Sequence, residues 1–582
     1  VFLFFKKITL SLKILPSKEK AILCVLGTVF VISFFGVLFK INKIYSVEMP
    51  EYGGGINEGV IGSPRFINPL LAVSDTDRDL VKLVYSGLLE QNGKGDLISV
   101  LAEKYEISED GLAYTFYINK KAKWHDGKSV TSDDVIFTIK RAKNPALDSF
   151  QRANWEGVET EKIDNYTMRF TLRKPYSLFL QNTTIPILPK HIWENTFPEE
   201  MGLSNFNIEP VGSGPYKVKK VYRNSAGLIT SYKLKANGDF VLGEPFIKYL
   251  NILFFSSEEK LVDAFRQGKI DSTGFISYSR IDESLKKNAV VQNLVLPRIF
   301  GLFFNSANNS IFENKEVREA LTKAADKQFI IKEALNGYGT EINSPIPEQS
   351  RDLQNEKIEK NDFKTDDLTF AVLTKEKRYA AAKQILEKNG WKLNSEGVYE
   401  KTINKKMNKL IFSISTSNTP SLIKTAEILK DEFHNIGADV NLKIFEIGDL
   451  NQTVIRRRNY EALIFGEVVG EDPDPFSFWH SSQRNDPGLN IAMYANNSVD
   501  KILEEARIQT DKEKRMEKYK TFEKYIKDDY AAIFLYSPYF VYLTPQFLKG
   551  FNAEVVAAPQ DRFSLINKWH IYNTYVWPIF LR

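Results

Sequence analysis

Cysteine is almost absent: Cys24 stands alone in 582 residues, inside an apolar N-terminal run. The rest of the chain can form no disulfide and no thiolate metal site, and cysteine usage carries no trace of the redox compartment. The short motifs of common enzymes are missing as well. There is no G-x-S-x-G, no H-E-x-x-H and no phosphate-cradling G-x-x-x-x-G-K-[ST], and His125, His191, His434, His480 and His570 are scattered singly. Carboxylates near Glu471 could flank a glycosidic bond, but such pairs are common in ordinary loops. No enzyme activity, cofactor or resident metal is therefore expected. An excess of one charge is lacking too. The formal net charge is +5, yet seven lysines against one glutamate lie in the first 43 residues, which leaves 71 basic and 72 acidic residues beyond them. Nothing there calls for a nucleic-acid partner.

Apolar residues are plentiful, at 43% with 13% aromatic. A chain of this length outgrows a single hydrophobic core, so at least two lobes are expected. Residues 21–39 carry no charge and would span roughly 28 Å as a helix, close to the thickness of a bilayer's hydrocarbon. Five lysines precede this run and two follow it closely, which orients the N-terminus to the cytoplasm and the bulk of the chain outside. No A-x-A cleavage site follows, so 21–39 is expected to be an uncleaved single-pass anchor behind a cytoplasmic segment, 1–20. Cys24 begins the apolar run where a lipid-anchor cysteine would end it. Residues 40–55, with Gly53-Gly54-Gly55, read as a flexible tether.

Beyond the tether, periodicity predicts alternating helices and strands. Ser74-Asp75-Thr76-Asp77 before Leu80, Val81, Leu83 and Val84 marks a capping box opening a helix, and Thr131 to Asp134 marks a second. Alternating runs at 114–118 and 168–172 read as half-buried strands. Between them Trp124-His125-Asp126-Gly127 reads as a turn, not a catalytic pair. Asn314 caps a helix whose Val317, Ala320, Leu321 and Ala324 share one face. Later come strand, helix, strand at 411–445, helices at 499–506 and 512–528, and an exposed polar loop at 351–367. That order is α/β organisation with short connections.

Several stretches carry a family resemblance. Phe303-Phe304-Asn305 leads to an Ala/Leu-rich helix ending near Asp326-Lys327; W-H-D-G at 124–127 precedes T-S-D-D-V at 131–135; G-S-G-P-Y stands at 212–216, G-K-I-D at 268–271 and D-P-D at 472–474. Over nearly all of residues 56–575 this order resembles the extracytoplasmic solute-binding proteins of family 5, the oligopeptide- and dipeptide-binding proteins of ABC importers. The resemblance implies a bilobal, type II periplasmic-binding-protein-like α/β fold. Lobe one would be 56–300 with a nested subdomain at about 91–205, lobe two 301–535, and 536–582 a return to lobe one. It also implies a peptide ligand, an ABC permease with its ATPase subunits as partners, and a monomer outside the membrane.

The densest functional candidate is the loop 466–480, with four carboxylates, two glycines and a Trp-His pair after an apolar strand. The family's acidic loop faces the cleft, and an aspartate there pairs with the peptide's amino terminus. Val469 occupies that position here, so Glu467 or Glu471 is expected to serve, or the ligand lacks a free amine. The expected ligand-binding set is Asp77, Tyr85, Phe303, Asn305, Glu467, Glu471, Asp472, Asp474 and Trp479, in a cleft of aromatic walls and a few fixed charges. Trp155 is a further possible wall, and Arg456-Arg457-Arg458 could hold a carboxylate. Asp77 is most simply a cap residue, and Asp472 and Asp474 can be read as caps of a short helix. Alternative ligands are an oligosaccharide or a chelated metal, and an alternative role is an anchored sensor without a transporter.

Overall fold

A computed structural model describes residues 16–347, 375–470 and 473–577. The polar stretch 351–367, Glu471 and Asp472 lie outside the described residues.

The described residues divide into two compact units, Gly55–Trp569 and the segments on either side of it. In the smaller unit the uncharged run lies within a helix, Ser17–Tyr45, and the span Ser17–Lys40 is long and apolar enough to cross a membrane. The expected tether is more ordered than its glycines suggest. Val47–Glu51 is a strand paired antiparallel with Tyr572–Val576, Val47 opposite Val576. A partner so far along the chain leaves no local signal in the sequence.

The larger unit is organised by a strand, Ala532–Pro545, fourteen residues long and buried at nearly every position. A strand covered on both faces reads as a continuous apolar run, and AIFLYSPYFVYLTP does so. One end pairs with Arg298–Phe304, Phe303 opposite Ala532 and Phe300 opposite Tyr536. The other pairs with Ala289–Val295, Ala289 opposite Pro545 and Val295 opposite Tyr539. Leu296 and Pro297 join these two partners, so the chain crosses between the halves of the sheet a few residues before 301, the expected start of lobe two.

On one side of Arg298–Phe304 the sheet continues through Ala462–Val468, Ile411–Ser417 and Asp439–Phe445; on the other, past Ala532–Pro545, it runs through Ser272–Thr273, Gly53–Ile61, Ile247–Phe255, Ile229–Ala236 and Tyr216–Arg223. Ile411–Ser417 and Asp439–Phe445 are parallel and joined by the helix Pro420–Asn435, as a parallel pair requires. Side chains alternate across this sheet. Leu302, Phe304, Ala462 and Ile464 enter a core with Val317, Ala320, Leu321 and Ala324, while Ile299, Phe303, Leu463 and Trp479 enter a second core with Tyr519 and Phe522. Asn314 stands at the N-cap of Lys315–Ala324, but its side chain makes no capping bond; its amide instead donates to the Ile311 carbonyl at 3.0 Å.

A separate four-stranded antiparallel sheet runs Ala102–Ile107, Ala113–Ile118, Thr167–Thr171, Glu159–Lys162. The helix Ser132–Lys143 beside it opens on the Thr131–Asp134 capping box. The end of the larger unit is tied back to its beginning by Arg562, which is fully buried. Its guanidinium donates to Glu58 Oε1 at 3.0 and 3.1 Å and to both Asp79 oxygens at 2.8 and 2.6 Å. Burial raises the Asp79 carboxyl to about 6 even against the lowering effect of Arg562.

Candidate functional site

Two of the sequence motifs meet at the end of one helix. Asp75–Val84 is capped by Ser74, which accepts from the Asp77 amide. The Asp77 carboxylate is consumed locally: it accepts from the Arg65 and Phe66 amides at 2.7 and 3.0 Å and from the Ser74 hydroxyl at 2.7 Å. With 1% exposure it is a cap and loop anchor, not a cleft charge. At the C-terminal end, Gly212 and Gly214 press so closely on Val84 that a Cβ would fall 1.9 and 2.5 Å from its backbone atoms. His125 holds this contact. Its Nδ1 accepts from the Gly212 amide at 3.2 Å, so Nε2 donates to the Gly214 carbonyl at 3.1 Å. Burial lowers its pKa to about 4, so the ring is neutral and structural. The W-H-D-G and G-S-G-P-Y motifs thus fix the exit of this helix, and Tyr85 follows at once.

Tyr85 is buried and its hydroxyl has no hydrogen-bond partner among the described residues; burial alone pushes the phenol upward. It lines a cavity of about 370 Å³ together with Arg78, Gln91, Phe150, Gln181 and Gln560. Lys82, also in the wall, is engaged by Glu90 at 2.7 Å and Asp561 at 3.7 Å. Among the described residues Arg78 has a single ion pair, to Asp75 at 3.9 Å, with both side chains substantially exposed. Its guanidinium lies over the Phe150 ring, 5.9 Å from the centroid.

The acidic loop leaves the strand Ala462–Val468, whose Val468 stands opposite Arg298 and Glu467 opposite Ile299. Just past it the Val469 and Gly470 amides donate to the Pro297 carbonyl at 2.9 and 3.3 Å, so the root of the loop is fastened to the crossing segment. Glu467 is 3% exposed and neither carboxyl oxygen has a hydrogen-bond partner among the described residues; desolvation holds it well above the usual glutamate range. Val469 is buried in the same core as Trp479. Asp474 takes the Nε and Nη2 of Arg507 at 3.0 and 2.8 Å and accepts from the Phe476 amide at 3.3 Å. The Arg507 guanidinium covers the Phe476 ring at 4.3 Å and faces Tyr176 at 5.7 Å, while its carbonyl accepts from the Ser177 amide at 3.2 Å. The loop is therefore clipped to the segment bearing Tyr176.

The other sequence candidates are packing residues. Phe303 and Trp479 are buried against each other, with centroids 6.4 Å apart, and Trp155 lies among Phe170 and Phe179. Asn305 donates to the Arg458 carbonyl at 3.0 Å and accepts from the Ala307 amide at 3.1 Å. Arg458 donates to the Arg484 and Gly488 carbonyls, and Arg456, on the surface, donates to Gln452 Oε1 at 3.2 Å and faces Asp486 at 3.7 Å. Phe303, Trp479, Trp155 and Asn305 are buried. Aromatic and amide types suit both a wall and a core, and only burial separates the two. Sequence reading singled out none of Arg78, Arg298 and Arg507. A cation on a helix or strand reads as solvated until its neighbours are known.

Residues 96–489 match the bacterial extracellular solute-binding proteins, family 5 (middle). The chain is similar to the oligopeptide-binding protein AppA of Bacillus subtilis, 28% identical over 539 residues, 90% of this chain and 93% of AppA. The structure of that AppA in complex with a nonapeptide superposes with a TM-score of 0.65 at 26% identity, covering 90% of this chain and 100% of the other. NikZ of Campylobacter jejuni in complex with Ni(L-His) superposes with a TM-score of 0.65 at 28% identity, covering 89% and 99%. The fold is that of bilobal α/β periplasmic binding proteins, and such relatives bind solutes without catalysing reactions. The chain belongs to the bacterial extracellular solute-binding proteins of family 5.

Proposed function

We propose that this protein captures peptides between its two lobes outside the cell and delivers them to an ABC permease powered by ATPase subunits. Lobe one is 56–300 with the nested subdomain and the return after 536; lobe two is 301–535. The carrying observation is the similarity, over 90% of this chain, to an oligopeptide-binding protein whose structure holds a nonapeptide. The geometry is compatible: a carboxylate-rich loop rooted beside the crossing segment, and a polar cavity at the end of the Asp75–Val84 helix. Closure over the ligand is a population shift driven by contacts to both lobes. Micromolar affinity corresponds to about −8 kcal/mol, within reach of a buried peptide with a few charge-assisted bonds. The helix Ser17–Tyr45 anchors the monomer in the membrane with its N-terminus inside.

Calorimetry of the full chain in detergent with di- to hexapeptide pools tests this reading. Saturable heat is expected, and none for any pool rejects peptides. A second reading, a metal chelate, rests on the similarity to the Ni(L-His) complex and on Val469 at the usual aspartate position. Native mass spectrometry of the freshly purified protein separates the two by the mass that co-purifies.

A further inference from the structure

The smaller unit carries aromatic side chains that peptide capture does not use. The span Ser17–Lys40 is long and apolar enough to cross a membrane, and its helix runs on to Tyr45. Lys40 is the first charge after the uncharged run. At 1.5 Å per residue, Asn42 stands about 3 Å and Tyr45 about 8 Å beyond it, inside the headgroup layer of about 5–8 Å that borders the hydrocarbon on each side. The indole of Trp577 returns to this turn of helix. Its Nε1 donates to Asn42 Oδ1 at 2.6 Å, and its ring stacks on Tyr45 with centroids 6.2 Å apart and planes 18° from parallel. Asn42 and Tyr45 are three residues apart and share a helix face. Even so, Tyr45 is 60% exposed and Trp577 37%. The strand pair that delivers Trp577, Val47–Glu51 with Tyr572–Val576, joins no other sheet among the described residues, and its Val47, Met49, Tyr572 and Tyr575 are exposed as well. A two-stranded ribbon is marginal in water. An indole with its N–H paired and its ring open suits the boundary between lipid and water. Charge does not enter: residues 40–51 hold two lysines and two glutamates, and 572–577 hold no charge.

We propose that Tyr45 and Trp577 form an aromatic collar in the headgroup layer of the bilayer that the helix spans, and that the ribbon Val47–Glu51 with Tyr572–Val576 thereby lies against a lipid surface. The inference rests on the anchor reading of Ser17–Tyr45 and is independent of which solute is captured. The partner is a zwitterionic lipid surface, met by aromatic rings and not by charge. The residues after the helix are then no free tether, because a strand from far along the chain closes on them at the membrane. Both ends of the larger unit, Gly55 and Trp569, lead to that ribbon within a few residues.

The test is tryptophan fluorescence of the full chain in phosphatidylcholine vesicles, with nitroxide-labelled lipid carrying its label either near the headgroup or deep in the acyl chain. The other six tryptophans are buried in the larger unit, so lipid-quenched emission reports Trp577. Quenching is expected from the shallow label, weaker from the deep one, lost in Trp577→Phe and restored when Tyr45→Trp is added to that variant. Mixing in anionic lipid should leave it unchanged. Wild-type quenching no greater than that of Trp577→Phe, or stronger from the deep label, overturns the inference, and so does quenching that appears only with anionic lipid. Shielding of Trp577 from aqueous acrylamide that is lost on diluting the protein into lipid assigns the ribbon to a second copy and overturns it too. Flotation of the vesicles after a carbonate wash separates the two readings. A chain that floats with Trp577 unquenched loses the collar alone; a chain that does not float loses anchor and collar together, and peptide capture stands in either case. The comparison of shallow with deep label needs only the wild type, and thermal unfolding shows whether each variant is folded.

Discussion

Replacing Glu467 by glutamine removes a titratable proton and changes almost nothing in shape, and the structure dictates how stability must respond. Neither carboxyl oxygen meets a partner and the side chain is buried, so desolvation alone holds its pKa well above 4.5. In the unfolded chain the group ionises near the ordinary glutamate value. Between that value and the raised one, the folded state holds a proton that the unfolded state has lost. Stability therefore falls as pH rises through this window, by about 1.4 kcal/mol per pH unit for one proton. Below the unfolded value both states are protonated and this contribution is absent. Glutamine has no proton to lose. Glu467→Gln should match the wild type near pH 4 and become the more stable protein as pH climbs, the gap widening by about 1.4 kcal/mol per unit until the folded carboxyl ionises. Urea unfolding followed by tryptophan fluorescence at several pH values between about 4 and 7 measures it. A gap that does not change with pH, or a variant less stable than wild type at neutral pH, refutes the reasoning. The same variant tests Glu467 as the receiver of a peptide amine, because that role predicts weaker peptide binding in calorimetry.

Asp77→Ala removes a helix-cap partner and the acceptor for the Arg65 and Phe66 amides. It should cost about 2–3 kcal/mol in urea unfolding and leave peptide affinity of the folded fraction unchanged; a selective loss of affinity would return Asp77 to the ligand site. Arg562→Ala leaves Glu58 and Asp79 buried without their cation and should cost about 3–5 kcal/mol at neutral pH. The loss should be smaller near pH 4, where Asp79, raised to about 6, is protonated. Unfolding at the two pH values measures the difference, and an equal loss at both would show that Asp79 does not titrate as described.

Local patterns are legible in the sequence because their physics is local. The Ser74 and Thr131 caps need only residues three apart, and the buried face of Lys315–Ala324 needs only a 3.6-residue period. The long apolar run before Pro545 likewise announces a strand covered on both faces. The motifs at 124–127 and 212–216 were visible, but not their purpose. That His125 closes on Gly212 and Gly214 depends on a contact 87 residues apart.

The amino-acid order by itself determined the apolar N-terminal helix, the α/β alternation and the family, since hydrophobic period, capping chemistry and motif order are properties of neighbours along the chain. Only the tertiary structure decided which candidate side chains are free to meet a ligand. It turned Asp77 into a cap, Asn305 into a loop tie and Phe303 with Trp479 into core, and it left both carboxyl oxygens of Glu467 without a hydrogen-bond partner among the described residues. The reason is that a polar group's role depends on whether its hydrogen bonds and charge are already satisfied, and the groups that satisfy them come from distant parts of the chain.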